Sequence, residues 1–366
     1  MLPFRLRFAS CRHRFASEKA TCPYFLAAVA VLACADAQAH HSFFGRFDTQ
    51  SVTEIEGEVT EMLWQNPHAH LTVHSVAADG TATDWAVETS SLTVLRRLGI
   101  EQGTVRVGDR IKLAGNPAVG PKKEIYGRNL LLPDGRELLL NVGLKPRWTS
   151  RAIGDERLLM ATEGDPSRPA LGLYRVWSHT RAIPRLLPEA TDPKFDIQSY
   201  PMTDAARAAL AKFNRATDNP TANCRPKGMP TIMEAPYPFE FVRAADGDIA
   251  LRIEEYDLTR HVDMHRAAPP AGTAPSPLGY SVGRWDGRTL VVTTTKIDWP
   301  FFSQLGIPQS PQVSIVERFT PTADGSRLDY AMTVTDPKSF TRPVELATHW
   351  LYLPGVELLP YECTAG

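Results

Sequence analysis

Five Asp-Gly pairs punctuate this chain: Asp79-Gly80, Asp134-Gly135, Asp246-Gly247, Asp286-Gly287 and Asp324-Gly325. Such pairs favour tight hairpin turns, because Gly takes positive φ without steric cost and Asp tolerates it. In the second half they separate apolar, β-branched runs: Phe239–Val242 from Ile249–Ile253, Tyr280–Trp285 from Thr289–Thr295, and Val313–Phe319 from Leu328–Val334. That spacing predicts a mainly β fold there, an antiparallel meander closed into a barrel, lipocalin-like or otherwise, or folded into a two-sheet sandwich. One helix signal interrupts it: Thr203-Asp204-Ala205-Ala206 can start a helix running to about Arg215, which Asn219-Pro220 would stop.

The first half follows the same logic with one helix inserted. Val52–Trp64 alternates as a long strand, with Ile55, Gly57, Val59 and Leu63 on one face and Glu54, Glu56, Glu58 and Thr60 on the other. Pro67 starts a new element in which His68, His70, Thr72 and His74 share one face, while Ala69, Leu71 and Val73 share the opposite one. Asp79-Gly80 turns this into Thr83–Glu88; Ser90-Ser91 then caps a short helix to Leu98, and Gly99 ends it. Val107–Leu113, Glu124–Leu132 and Arg136–Leu140 supply further strands. Three strands, a helix and two strands is the order of a five-stranded OB barrel.

The expected layout is therefore an export segment over 1–39, an OB-like domain over 40–142, a Pro-rich connector over 143–200 with an apolar island at Leu171–Trp177, and an antiparallel β domain over 201–366. In the first segment Arg5, Arg7, Arg12, Arg14 and Lys19 precede the apolar run Tyr24–Ala35, and Ala37-Gln38-Ala39 offers a signal-peptidase pattern. This predicts a periplasmic or secreted protein; lipoprotein processing at Cys34 is the rival route. Removing the segment drops five positive and two negative side chains, taking the net charge from −1 to −4. A slightly acidic chain is a poor partner for nucleic acid, whose affinity depends on clustered positive charge. No later run approaches the roughly 20 apolar residues of a membrane span.

Three of the five cysteines fall in the export segment, leaving Cys224 and Cys363. In an oxidising compartment such a pair most simply forms one disulfide, a constraint worth roughly 4 kcal/mol in the chain-entropy description. Two free buried thiols are the alternative.

Chemistry is written most densely in the histidines. Cleavage after Ala39 would make His40 the N-terminal residue, whose amine and imidazole can chelate one metal together. His41, His68, His70 and His74 would be further ligands, and this nitrogen-rich set suits copper(II) or zinc. A solvent-facing barrel surface that merely tolerates histidine accounts for the same pattern. A second constellation is His261-Val262-Asp263-Met264-His265: on a strand, His261, Asp263 and His265 share a face and could serve as acid/base groups or hold a metal, or be an ordinary polar strand end. Tyr280, Trp285, Trp299, Phe301 and Phe302 are expected in the core rather than lining a ligand pocket. His179 and His349 stand alone in sequence and read as structural.

The segment 40–140 resembles an uncharacterised family of exported bacterial proteins, a domain of unknown function. The likeness rests on His40-His41-Ser42-Phe43, Trp64-x-Asn66-Pro67-His68, Val107-Gly108-Asp109 and Leu132-Pro133-Asp134-Gly135. The C-terminal part is similar to a second uncharacterised exported set, through Pro236-Tyr237-Pro238-Phe239, Gly283-Arg284-Trp285-Asp286-Gly287, Glu317-Arg318-Phe319 and Asp336-Pro337; that set implies Asp near the position of His265. Neither resemblance implies a reaction. Three functions fit the residues: metal or small-ligand binding through the histidines; a lyase, isomerase or hydrolase acting on a small apolar or aromatic compound at His261, Asp263 and His265; or a structural module with a partner in the envelope.

Overall fold

The computed structural model describes residues 46–187, 196–214, 218 and 224–363. The expected export segment, Cys34, His40 and His41 lie outside the described residues.

Five strands form the first barrel: β1 (Thr53–Leu63), β2 (His70–Val76), β3 (Ala82–Glu88), β4 (Arg110–Pro117) and β5 (Glu124–Leu131). β1 pairs antiparallel with β2 and β4, β2 pairs with β3, β4 with β5, and a parallel β3–β5 contact closes the ring. The helix α1 (Leu92–Arg97) stands between β3 and β4, capped by the Ser91 hydroxyl accepting from the Val94 N–H and followed by Gly99 at φ 79°. This is the OB order expected from the pattern. Leu92, Leu95, Leu98 and Ile100 pack with Val59, Leu71, Val73, Leu113 and Ile125 in one core, each large side chain stabilising the barrel by about 2 kcal/mol.

Two expectations for β1 are refined by packing. At Gly57 an added β-carbon would stand 2.2 Å from the His74 carbonyl oxygen, so β1 and β2 can cross this closely only over glycine. Beyond it the β1–β2 register shifts between Val59 and Glu61. This bulge reverses the alternation: Met62 packs against the core and Leu63, expected inside, is 44% exposed. Beyond β5, the short strands β6 (Glu137–Leu139) and β7 (Ala152–Ile153) extend the sheet.

The second sheet runs in chain order through nine strands: β8 (Val176–Trp177), β9 (Phe239–Arg243), β10 (Ile249–Ile253), β11 (Leu258–Asp263), β12 (Tyr280–Asp286), β13 (Thr289–Thr295), β14 (Ser314–Pro321), β15 (Arg327–Thr335) and β16 (Val344–Leu351). It is a barrel rather than a sandwich. Ser178 and Leu351 exchange two backbone hydrogen bonds of 2.9 and 3.0 Å, joining the ends of β8 and β16. The apolar island at Leu171–Trp177 thus supplies a strand, and Trp177 is fully buried. Inside, Phe239, Phe241, Phe319, Tyr330 and Trp350 form a run of ring contacts with centroids 4.7–5.8 Å apart. Trp299 and Phe302 are core residues as expected, whereas Trp285 is 43% exposed.

The helix α2 (Asp204–Leu210) is capped by Thr203 and ends earlier than expected. Its last turn tightens through Lys212 and Phe213, and the Phe213 ring packs edge-on against Phe301 at 5.2 Å. Asn219 and Pro220, the expected stop, lie outside the described residues. Among the described residues no helix is long and apolar enough to cross a membrane.

His179 and His349, separate in sequence, stand beside Ser178 and near Leu351, whose bridge joins β8 to β16. Burial, with Arg185 and His349 adding to it, pushes the His179 imidazole from 6.5 down to about 4. The unfolded chain therefore takes up this proton first, and stability that is full above pH 6.5 falls as the pH drops toward 4, by about 3 kcal/mol. Urea titrations at pH 7 and pH 4.5 should show a smaller loss for His179→Gln than for the native chain.

Candidate functional site

The chain enters β2 through Asn66 and Pro67, and several contacts hold this entry. The Asn66 side-chain carbonyl accepts from the Leu92 N–H at 3.0 Å, Ala69 N–H donates to Ser90 O at 3.2 Å, and Thr89 N–H donates to Ala69 O at 2.9 Å. β2 begins at His70, so His68 precedes the strand it was expected to open. The alternation still holds: Ala69, Leu71 and Val73 are buried while His68, His70 and His74 are partly exposed.

His68 Nδ1 lies 2.7 Å from the Thr89 carbonyl oxygen. A carbonyl only accepts, so this nitrogen carries a proton and Nε2 is the ring nitrogen left for another partner. His70 pairs across β2–β3 with Glu88, a carboxylate only 5% exposed. Burial lowers the pKa of His70, the neighbouring Glu88 opposes that shift, and His68 and Arg46 reinforce it. His70 is accordingly neutral at neutral pH. Glu88 accepts from Arg46 at 2.7 Å and lies 3.5 Å from His68 Nδ1, and Arg46 also reaches Glu124 at 3.1 Å. Behind them Tyr126, its phenol pushed to about 12 by burial, sits 3.5 Å from the Ser90 hydroxyl and 6.5 Å ring to ring from His68.

His74 does not belong to this group. It shares the face of His70, but four residues of strand separate them by about 13 Å at 3.3 Å per residue. Its Nδ1 instead meets Asp84 at 2.7 Å. Among the described residues no three His, Cys, Asp or Glu side chains are grouped so as to hold a metal ion. Arg46, Glu88 and Tyr126 were not singled out from sequence. Glu88 had a signal: the turn after Val76 pairs β2 and β3 residues whose numbers add to 158, which sets Glu88 opposite His70 and Asp84 opposite His74.

The second constellation lies on the outside of its barrel. On β11, Arg260 and Val262 are the buried residues, so His261 and Asp263 face away from the core. They line an outer cleft of about 290 Å³ with Asp248, Ser276, Tyr280 and Ser281. The cleft lies where β11 and β12, the one parallel pair of this sheet, meet at only two positions. Asp263 accepts from the Tyr280 hydroxyl at 2.6 Å and from the backbone of His265 and Arg266 at 2.9 and 3.0 Å. These bonds, the Tyr280 one foremost, lower the pKa of Asp263 and make it a weak proton acceptor. His265, expected on the same face, has turned out of the strand and contacts the Asp246 carbonyl at 3.0 Å. The cleft is polar, unlike the apolar pocket that an aromatic substrate would need.

Inward of this cleft Arg260 forks onto Glu317, donating from Nη1 at 3.0 Å and more closely from Nη2, and it also donates to Ser281 and Thr294 at 3.0 and 2.6 Å. The Tyr330 hydroxyl donates to the same carboxylate at 2.8 Å. This satisfied network ties together the five strands from β11 to β15.

The Cys224–Cys363 disulfide expected from the cysteine count is formed. Residues 28–125 match a family described as "Family of unknown function (DUF6152)", a span that includes the histidine segment and the first four barrel strands. No curated protein matches the chain significantly. Two crystal structures of Rim1, a mitochondrial single-stranded DNA binding protein from S. cerevisiae, are similar to 23% and 26% of this chain and to 94% and 98% of their own, at 14% and 16% identity, each with a TM-score of 0.19.

Proposed function

We propose that this is an exported metal-binding protein whose first barrel takes up copper(II) or zinc through His68 and His70, with His40 and His41 completing the shell. The observation that carries this reading is the state of the two imidazoles. His68 donates its Nδ1 proton to a backbone carbonyl, the outer bond that metal-ligating histidines characteristically make, and His70 is held neutral by burial. His70 is therefore a ligand that need lose no proton near pH 7. His40 and His41 stand six and five residues before Arg46, whose guanidinium rests on Glu88 beside His68. A chain of six residues reaches up to about 20 Å, enough to return them to this patch.

Calorimetric titration of the processed apo protein with copper(II) and with zinc tests the reading. His68→Ala and His70→Ala should each weaken uptake at least tenfold, His40→Ala should do the same, and His74→Ala should leave it unchanged. Because the pKa of His70 is lowered, affinity should persist below pH 6.5, where free imidazole loses metal to protons. Absence of tight uptake, or uptake indifferent to His68 and His70, would remove the proposal.

A further inference from the structure

The C-terminal tail is threaded between the two barrels and ends against the histidine segment. Leu359 N–H donates to Glu254 at 2.9 Å, and Glu254 also takes both arms of Arg97 from α1. Arg97 reaches the Glu357 carbonyl at 3.1 Å, and Tyr361 N–H donates to Asp257. The Tyr361 ring lies 5.5 Å from Tyr237 and 4.9 Å from Tyr256. At its end Asn66 N–H donates to Glu362 O at 3.0 Å, and Asn66 and Cys363 form a parallel bridge. Asn66 is fully buried and stands two residues before His68. The residue that closes this arrangement covalently is Cys363, bonded to Cys224, and both cysteines are partly exposed. Cys224 moreover holds left-handed backbone at φ 54°, which costs a non-glycine residue about 1 kcal/mol or more.

We propose that the Cys224–Cys363 disulfide is a redox latch that orders the Trp64–His70 segment by fixing the tail against Asn66. A small dithiol is the reductant: its thiolate attacks one sulfur, its second thiol resolves the mixed disulfide, and it leaves as a disulfide while the two cysteines gain two electrons and two protons. The tail then keeps only its non-covalent contacts, and the strand-like pairing at Asn66 opens. The consequence for metal uptake rests on the function proposed above; the ordering itself does not.

Two-dimensional NMR of the indole and backbone N–H groups in the full processed chain separates the two. Trp64, whose indole nitrogen is buried, and Asn66 report on the segment; Trp177 and Trp350, 0% and 1% exposed, report on the second barrel. Reduction with dithiothreitol followed by alkylation should shift or broaden Trp64 and Asn66 while Trp177 and Trp350 hold. The Cys224→Ser/Cys363→Ser variant, which carries no thiols to capture metal, should behave alike and bind zinc at least tenfold more weakly than the oxidised protein. An unmoved Trp64 overturns the latch, as does a collapse of all four signals together, since the bond would then hold the whole fold rather than this segment. If Trp64 and Asn66 respond but zinc binds in neither form, the latch stands and the metal reading fails.

Discussion

Replacing Arg260 with Met should destabilise the protein by roughly 3–5 kcal/mol in reversible denaturant unfolding, because it leaves the Glu317 carboxylate buried without its counter-charge. Glu317 is 0% exposed, and its two oxygens take the guanidinium fork and the Tyr330 hydroxyl. Without Arg260 the carboxylate would be pushed to bind a proton, so its folded-state pKa would rise above the unfolded value. The variant should therefore come closest to native stability below about pH 4 and lose ground as the pH rises. Removing the whole network, with Arg260→Met, Glu317→Leu and Tyr330→Phe together, should recover most of the loss. Ser281 and Thr294, 2.9 Å apart, can still bond to each other. A triple variant no more stable than Arg260→Met alone would show that the strands depend on the charges themselves.

Reducing the disulfide should lower global stability by about 4–5 kcal/mol, the second large effect. The cysteines lie 139 residues apart, and the chain-entropy cost of an open loop of that length is near the top of the usual range. The loss should appear as a lower denaturant midpoint with a steeper slope, since the unlinked unfolded chain exposes more surface. An unchanged midpoint would mean that the tail contacts at Glu254 and Asp257 already hold the two ends together.

Much of the architecture was legible because short-range chemistry and long-range pairing agree here. Each Asp-Gly pair turns a hairpin, and the strands around Asp246, Asp286 and Asp324 begin and end within two residues of their expected bounds. What escaped were features set by contacts between elements. β16 carries no turn signal of its own and exists because β15 offers it eight paired positions. The bulge in β1 and the outward face of His261 and Asp263 depend on what packs opposite, which no local pattern encodes. The histidine face was visible as a period of two. Its reach was not, because a shared face says nothing of the 13 Å or so that four residues of strand place between His70 and His74.

The way the second barrel closes bears on how the chain can be divided. A polypeptide starting at residue 201 would lack the two-residue strand at Val176–Trp177 and the Ser178 bridge, leaving Phe239–Arg243 and Val344–Leu351 as two open sheet borders. Unpaired borders of this kind recruit strands from other molecules. Such a piece should be prone to self-association, and extending it back to include residue 173 should suppress that association.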